Sequence, residues 1–322
     1  MAIATVLPVI LPEEYFQVNK KVKRFQNEKD AIEYSSSQVL KDELITLIDA
    51  KSEEAGISYV VDYKTPNGMV LPVFIPERNI AFDVISLVEG AEDKVGNKFF
   101  RERMEKARSE EIQFIQIFED EWKAKQTIVD HRIQNLMGVS PRIYARKTEV
   151  KEIPWGFAKS LLNASHIQGA GAGAAMVLGL VDGNSLVAIM TFGVSRFEKT
   201  GPKDFELIRY TSVGTVVGGF SKLMKYFIDN FGPERIISYS DARWSIGNVY
   251  SSNGFELTNY SPPGYFWTRD GVRHNRIKFQ KHKLKDVLEK FNPMLTEKQN
   301  CEANGYKRIF DAGMQKWEMN ID

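Results

Sequence analysis

Hydrophobic and polar positions follow two periods along this chain, and they change places several times. Leu40, Leu44, Leu47 and Ile48 recur at helical spacing, which predicts a helix over residues 38–55 ended by Gly56. ISYVVDY, MVLPVFIPE and NIAFDVISLV then read as strands, the first two separated by the turn KTPNG. Pro72 and Pro76 suit a short or edge strand better than a central one, because proline cannot donate to a ladder. Residues 99–110 read as a charged helix, EIQFIQIFE as a strand, and DEWKAKQTIVDHRIQNLMG as one long amphipathic helix. This order predicts a compact α/β domain over residues 37–138, after an N-terminal extension of residues 1–36.

A second domain is predicted over residues 139–322. VSPRIYARKTEVKEIP is its linker and first strand, and residues 155–163 form a helix. SHIQGAGAGAA is a loop of small residues. MVLGLVDGNSLVAIMTFG is a hairpin turning at Asp182-Gly183-Asn184. FELIRYTSV is a strand, Gly218 and Gly219 open the amphipathic helix SKLMKYFIDNF, and Gly232-Pro233 ends it. RIISYS is the next strand, with Asp241 at its end, and Asn248 and Tyr250 lie on a short turn closed by Asn253-Gly254. A glycine pair before a helix has two uses. It can make a tight turn, or it can let a phosphate reach the unpaired first-turn amides.

Composition narrows the function classes. Apolar residues make up 43% and charged residues 26% of the 322, as in a soluble globular protein. The formal net charge of +1 requires any nucleic-acid surface to be a local patch. The strongest such patch is RDGVRHNRIKFQKHKLK, with seven basic residues and one acidic one. Its alternation predicts a strand with a basic face, and Arg269, Arg273, Arg276, Lys278 and Lys281 are candidate DNA-phosphate contacts. A weaker cluster is Lys20, Lys21, Lys23 and Arg24, read as a solvated face. Cys301 is the single cysteine, which excludes an internal disulfide and fits a reducing cytoplasm; it reads as packing. No apolar run reaches membrane-spanning length, so no membrane partner is expected.

Two resemblances extend this reading. FIPERNIAFDVIS with EIQFIQIFEDEWKAKQTIVDHRIQNLMG resembles the core of Vsr-like phage homing endonucleases, which belong to the PD-(D/E)XK-related nucleases. Such chemistry needs carboxylates that gather a divalent metal. The resemblance places a carboxylate where this chain has Pro72, and replaces the family's Trp-His pair with Glu89-Gly90. Only Asp83 and Glu43 remain as weak metal candidates, which implies a nuclease fold that has lost cleavage. Glu119, Asp120 and Glu121 are read as favourable charges at a helix start.

The second resemblance is to the GNAT acyltransferase superfold, through the strand, GG-x-S-K-L helix, strand, N-x-Y-x-x-x-G-F order. It implies a CoA-like or other phosphate-bearing co-substrate at Gly218, Gly219, Ser221 and Lys222, although the full acetyltransferase loop pattern is missing. It also implies two central strands that splay where donor and acceptor meet. Within that fold, His166, Arg209, Asp241 and Tyr250 resemble the essential residues of the phage Mom-type proteins, which convert adenine in DNA to a carbamoylmethyl derivative. The implied roles are His166 as proton carrier, Asp241 as base or orienter, Tyr250 as donor and Arg209 as anion neutraliser. Three functions stay open at this point: a base-modifying transferase acting on double-stranded DNA, an endonuclease with an altered metal site, and a binding module without catalysis.

Overall fold

A computed structural model describes residues 28–194 and 201–321, with side chains described from residue 38. The cluster Lys20, Lys21, Lys23 and Arg24 lies outside the described residues. In the first half, α1 (Glu28–Ala55) leads into β1 (Val60–Lys64), β2 (Val70–Ile75) and β3 (Ile80–Ile85). Then come α2 (Glu92–Val95), α3 (Phe99–Ser109), β4 (Gln113–Phe118), α4 (Glu119–Ala124) and α5 (Gln126–Met137). The four strands form one sheet in the order β1-β2-β3-β4, antiparallel except for the parallel β3–β4 pair. Leu40, Leu44 and Ile48 of α1 pack with Val73, Ile75, Phe82 and Ile115 on one face. Met69, Leu71, Phe74 and Phe114 pack with Ala107 of α3 on the other.

Two sequence expectations need correction here. β2 is not an edge strand; it lies between β1 and β3. Pro72 is tolerated because the ladder with β3 runs only from Val73 to Ile75. Across from it, Asp62 interrupts the β1 ladder with a φ of 55°. The long helix is also two helices, α4 and α5, broken at Lys125, whose φ is −128°.

The second half continues with β5 (Arg142–Tyr144), β6 (Glu149–Glu152), α6 (Trp155–Ser165), β7 (Met176–Asp182), β8 (Ser185–Gly193), β9 (Asp204–Ser212) and β10 (Thr215–Val217). It proceeds through α7 (Gly219–Phe231), β11 (Arg235–Asp241), α8 (Asn248–Ser251), β12 (Glu256–Tyr260), β13 (Tyr265–Arg269) and β14 (Val272–Asn275). It closes with α9 (Leu284–Val287), α10 (Glu297–Ala303), β15 (Lys307–Phe310) and β16 (Met314–Asn320). Seven strands form the main sheet, in the order β12-β16-β11-β9-β8-β7-β6. Its one parallel pair is β9–β11. α7 packs on one face through Phe220, Leu223, Met224 and Phe227 against Leu178, Met190, Phe192 and Leu207. α6 covers the other face, with Ala158 and Leu162 against Val177 and Ile189.

The basic segment departs from expectation. Arg269 ends β13, Val272–Asn275 is β14, and both belong to the small sheet β14-β13-β15. The Asn275 side chain then accepts from the Ile277 amide, and 3-10 turns carry the chain through Arg276–Phe279 and Lys281–Lys283. The predicted basic face is therefore interrupted after one turn of alternation.

The halves are joined by buried and half-buried contacts. Trp244, just past β11, is 2% exposed and sits in the core beside Leu40 and Trp122 of the first half. Arg243 forms a two-pronged pair with Glu121 of α4, both bonds 3.0 Å. Glu121 also takes Arg273 at 2.8 Å, and Arg308 grips Glu92 through two bonds of 2.7 Å.

Candidate functional site

The main sheet opens at its centre. β9 and β11 pair from Asp204–Arg235 to Leu207–Ser238 and no further. Beyond that point β9 stays with β8 and β11 with β16. A bulge marks the divergence: Thr191 faces Arg209 while Phe192 faces Leu207, so β9 carries an extra residue at Ile208. Bulges bend the strand that holds them and re-aim its side chains. Here the bend turns Arg209 towards the small-residue loop after α6, where its Nε donates to the Gly169 carbonyl at 3.1 Å. The loop needs its glycines. A Cβ on Gly171 would come within 2.7 Å of Ile208.

At the fork stands Ser238. Its Oγ lies 2.9 Å from the Leu207 carbonyl and 3.1 Å from the Tyr250 hydroxyl. The Tyr250 ring stacks on Trp317 at 5.3 Å and meets Phe220 and Phe255 edge-on. Burial raises its pKa, against the opposing pull of Ser238, Arg209 and Arg132, so it is a protonated phenol at neutral pH.

His166 caps α6, and its Nδ1 accepts the Gln168 amide at 3.1 Å. The neutral ring therefore carries its hydrogen on Nε2. Burial lowers its pKa to about 3, with Arg209, Arg132 and Lys125 adding to the effect. The resemblance implies a proton carrier at this position; held neutral in this way, His166 is a hydrogen-bond donor through Nε2.

Asp241 is also more committed than expected. Its Oδ1 accepts the Arg243 amide at 2.9 Å and its Oδ2 pairs with the Arg243 guanidinium at 2.8 Å. That arrangement suits an orienting charge better than a free base.

The sequence reading missed Arg132. It lies on α5, in the other half of the chain, and reaches over with its Nη2 donating to the Trp244 carbonyl at 3.0 Å. Its guanidinium stands 5.2 Å above the Trp244 ring, and its buried Nε has no hydrogen-bond partner among the described residues. Arg132 and Arg209 both act electrostatically on His166 and Tyr250, and Asp241 acts on Arg132. Lys125, where α4 meets α5, donates to the Ile167 carbonyl and pins the chain next to His166. Its local pattern marks α5 as an amphipathic helix. Nothing local marks which face a distant segment will cover.

The glycine pair sits at the base of α7. Gly218 is left-handed at φ 74°, and a Cβ on Gly219 would lie 2.8 Å from Val216 and 3.0 Å from the Tyr210 hydroxyl. The amides of Gly219, Phe220 and Ser221 have no acceptor among the described residues. A phosphate-bearing group fits these amides. Lys222, however, is spent on the Ala145 and Thr148 carbonyls, and the Ser221 hydroxyl turns back to the Gly218 carbonyl at 3.1 Å. Those two side chains hold the turn rather than reach outward.

The other candidates separate. Asp83 is paired with Arg103 of α3 at 2.6 Å, on the face opposite α1. Glu43 of α1 accepts from the Trp122 indole at 2.7 Å. The two carboxylates are thus on opposite faces of the sheet and cannot share a metal. No group of three or more metal-binding side chains occurs among the described residues. Glu121 accepts the Phe118 amide that precedes α4, as expected of an acid at a helix start, whereas Glu119 accepts the distant Leu87 amide. Arg273 is withdrawn from any phosphate: it pairs with Asp120 at 2.7 Å and with Glu121. Arg269 pairs with Asp270 and Glu289. Arg276, Lys278 and Lys281 are exposed. A groove of about 470 Å³ lies beside Glu92 and Tyr306, and its walls are already paired through Arg308–Glu92 and Lys307–Asp93. No helix among the described residues is long and apolar enough to cross a membrane.

No family model matches the chain, and neither does any curated protein. Similar solved structures include an IAA acetyltransferase from Bacillus cereus, 13% identical with a TM-score of 0.31, covering 54% of this chain and 99% of that one. The ribosomal-protein-S18-alanine N-acetyltransferase from Escherichia coli is 11% identical with a TM-score of 0.34, over 54% of this chain and 94% of the other. A putative acetyltransferase from Salmonella typhimurium, solved with its cofactor acetyl-CoA, is 12% identical with a TM-score of 0.33, covering 55% and 95%.

Proposed function

We propose that this chain is a DNA-acting transferase of GNAT type, modifying adenine as Mom-type proteins do, with a CoA-like or other phosphate-bearing co-substrate. The observation that carries the reading is the forked centre of the sheet. β9 and β11 part at Leu207 and Ser238, with Tyr250 at the fork, Arg209 on the bulged strand and His166 on the facing loop. Such a fork gives a donor and an acceptor a shared entry between two rigid strands. The first-turn amides of α7 are the part of this chain that would hold a phosphate of the donor. When bound, that donor supplies the activated group. Tyr250 holds a proton at its hydroxyl for the leaving atom, His166 donates from Nε2, and Asp241 fixes the surrounding guanidinium.

The first half is proposed to be a nuclease-type fold without cleavage. Supporting this, the Arg103 guanidinium sits on Asp83 where a metal would need that carboxylate. Nucleoside mass spectrometry on DNA from cells making the protein should show a modified adenine, while duplex DNA incubated with the protein and Mg²⁺ stays intact. Unmodified DNA under every co-substrate supply would leave a binding module, and cutting that Asp83→Ala abolishes would restore the nuclease.

Double-stranded DNA is proposed to lie along Arg276, Lys278 and Lys281. Changing all three to Ala should weaken duplex binding for every sequence alike. It should also reduce the slope of log K against log salt by about 2–3, since fewer counterions are released. A slope equal to the parent's would place the DNA elsewhere.

A further inference from the structure

The chain from Arg276 to Lys285 carries five Lys or Arg residues and no acidic one. In its first turn Arg276, Ile277 and Lys278 are all exposed, Ile277 at 56%. Phe157 and Met294 are more exposed, at 69% and 87%, yet no cation adjoins either in sequence. The backbone of Ile277 is pinned from both sides. Its amide donates to the Asn275 side chain at 2.9 Å, and its carbonyl accepts from the Lys283 Nζ at 3.0 Å. Two residues on, Phe279 is buried with Trp267 and Leu284 and anchors the turn. On the other side, the Arg276 guanidinium lies 5.6 Å from the centre of the Tyr265 ring. The isoleucine side chain is itself stiff, because branching at Cβ restricts χ1.

A rigid apolar tip among cations has a use on duplex DNA. Phosphates meet the cations, and the apolar group enters between two base pairs, where it leaves water. Prising a step apart is costly, and a tip free to fold back onto its own turn would not do it. We propose that Ile277 is a wedge that enters the base stack of duplex DNA and opens one step. The proposal rests on the reading that DNA lies along Arg276, Lys278 and Lys281, and it concerns binding alone. It also suits base modification, since an enzyme reaches its target atom in a paired base only after that base has left the stack.

The test uses the full chain and short duplexes with 2-aminopurine, a fluorescent adenine analogue, in a central TA step, a kind of step that opens easily. Binding is followed separately, by the anisotropy of a dye at the duplex end. The parent should bind and raise the 2-aminopurine emission, which stacking quenches. Ile277→Ala should lose that rise while changing the slope of log K against log salt by less than ~0.9, the share of one phosphate contact. Ile277→Leu should keep the rise. Binding by the parent without a rise, or an Ala variant that keeps it, overturns the wedge and leaves the DNA surface standing. A salt slope that falls together with the rise in the Ala variant makes Ile277 a packing residue of the cationic turn, which also overturns the wedge. No duplex binding by the parent removes the DNA surface and the wedge together.

Discussion

Glu121→Gln should cost the protein about 3–5 kcal/mol of folding stability, the loss typical of removing one charge from a buried pair. Glu121 holds Arg243 through two bonds of 3.0 Å and Arg273 through one of 2.8 Å. Gln keeps the volume and leaves both guanidinium groups short of a carboxylate. The substitution acts across the interface, since Glu121 belongs to α4 and its partners lie past β11 and on β14. Acid should reproduce the effect. Burial alone would raise the Glu121 pKa, but Arg243 and Arg273 overcome it and hold the group at about 2. The stabilisation is therefore complete above the unfolded value of 4.5 and is lost as pH falls through about 2. Urea unfolding followed by circular dichroism at pH 7 and at pH 3 measures both. The exposed Lys225–Asp229 pair is the control, and Asp229→Asn should change the unfolding free energy by less than about 1 kcal/mol. A Glu121→Gln protein that unfolds with the parent would mean that the clamp is energetically neutral.

Much of the fold was legible because its elements announce themselves locally. β3 and β4 are short apolar runs, α7 has its apolar stripe between Gly218 and Gly232, and the β7–β8 turn falls on Gly183 and Asn184. The errors share a cause: each was decided by a partner distant in sequence or by one backbone angle. Lys222 reads as a phosphate ligand beside two glycines, yet the Ala145 and Thr148 carbonyls claim it. Arg273 alternates properly in a basic strand, yet Asp120 and Glu121 lie beneath it. The predicted helix over α4 and α5 has an unbroken pattern, but Lys125 leaves helical geometry. Among the candidate site residues, His166, Arg209, Asp241 and Tyr250 were named from the sequence, whereas Arg132 was not. Its contact with Trp244 spans 112 residues, and no periodicity encodes such a contact.

Tyr250→Phe separates chemistry from packing at the fork. The change removes one oxygen and leaves the ring between Trp317, Phe220 and Phe255. Ser238 keeps its bond to the Leu207 carbonyl, so the fork itself should persist. Losing one neutral hydrogen bond costs about 0.5–1.5 kcal/mol of stability. A proton donor in a transition state is worth far more, about 10²–10⁴-fold in rate. If Tyr250 delivers a proton to the leaving atom, the variant should modify DNA at least ~100-fold more slowly while melting within a few degrees of the parent. The parent's rate should also be flat between pH 5 and pH 8. Burial keeps Tyr250 protonated across that range, and it keeps His166, with a pKa of about 3, neutral. Asp241→Ala is a poorer probe, because Arg243 would lose a partner inside the clamp and stability would fall together with activity. A Tyr250→Phe protein that modifies DNA at the parent's rate would remove Tyr250 from the chemistry and leave it a packing residue of α8 beside Ser238.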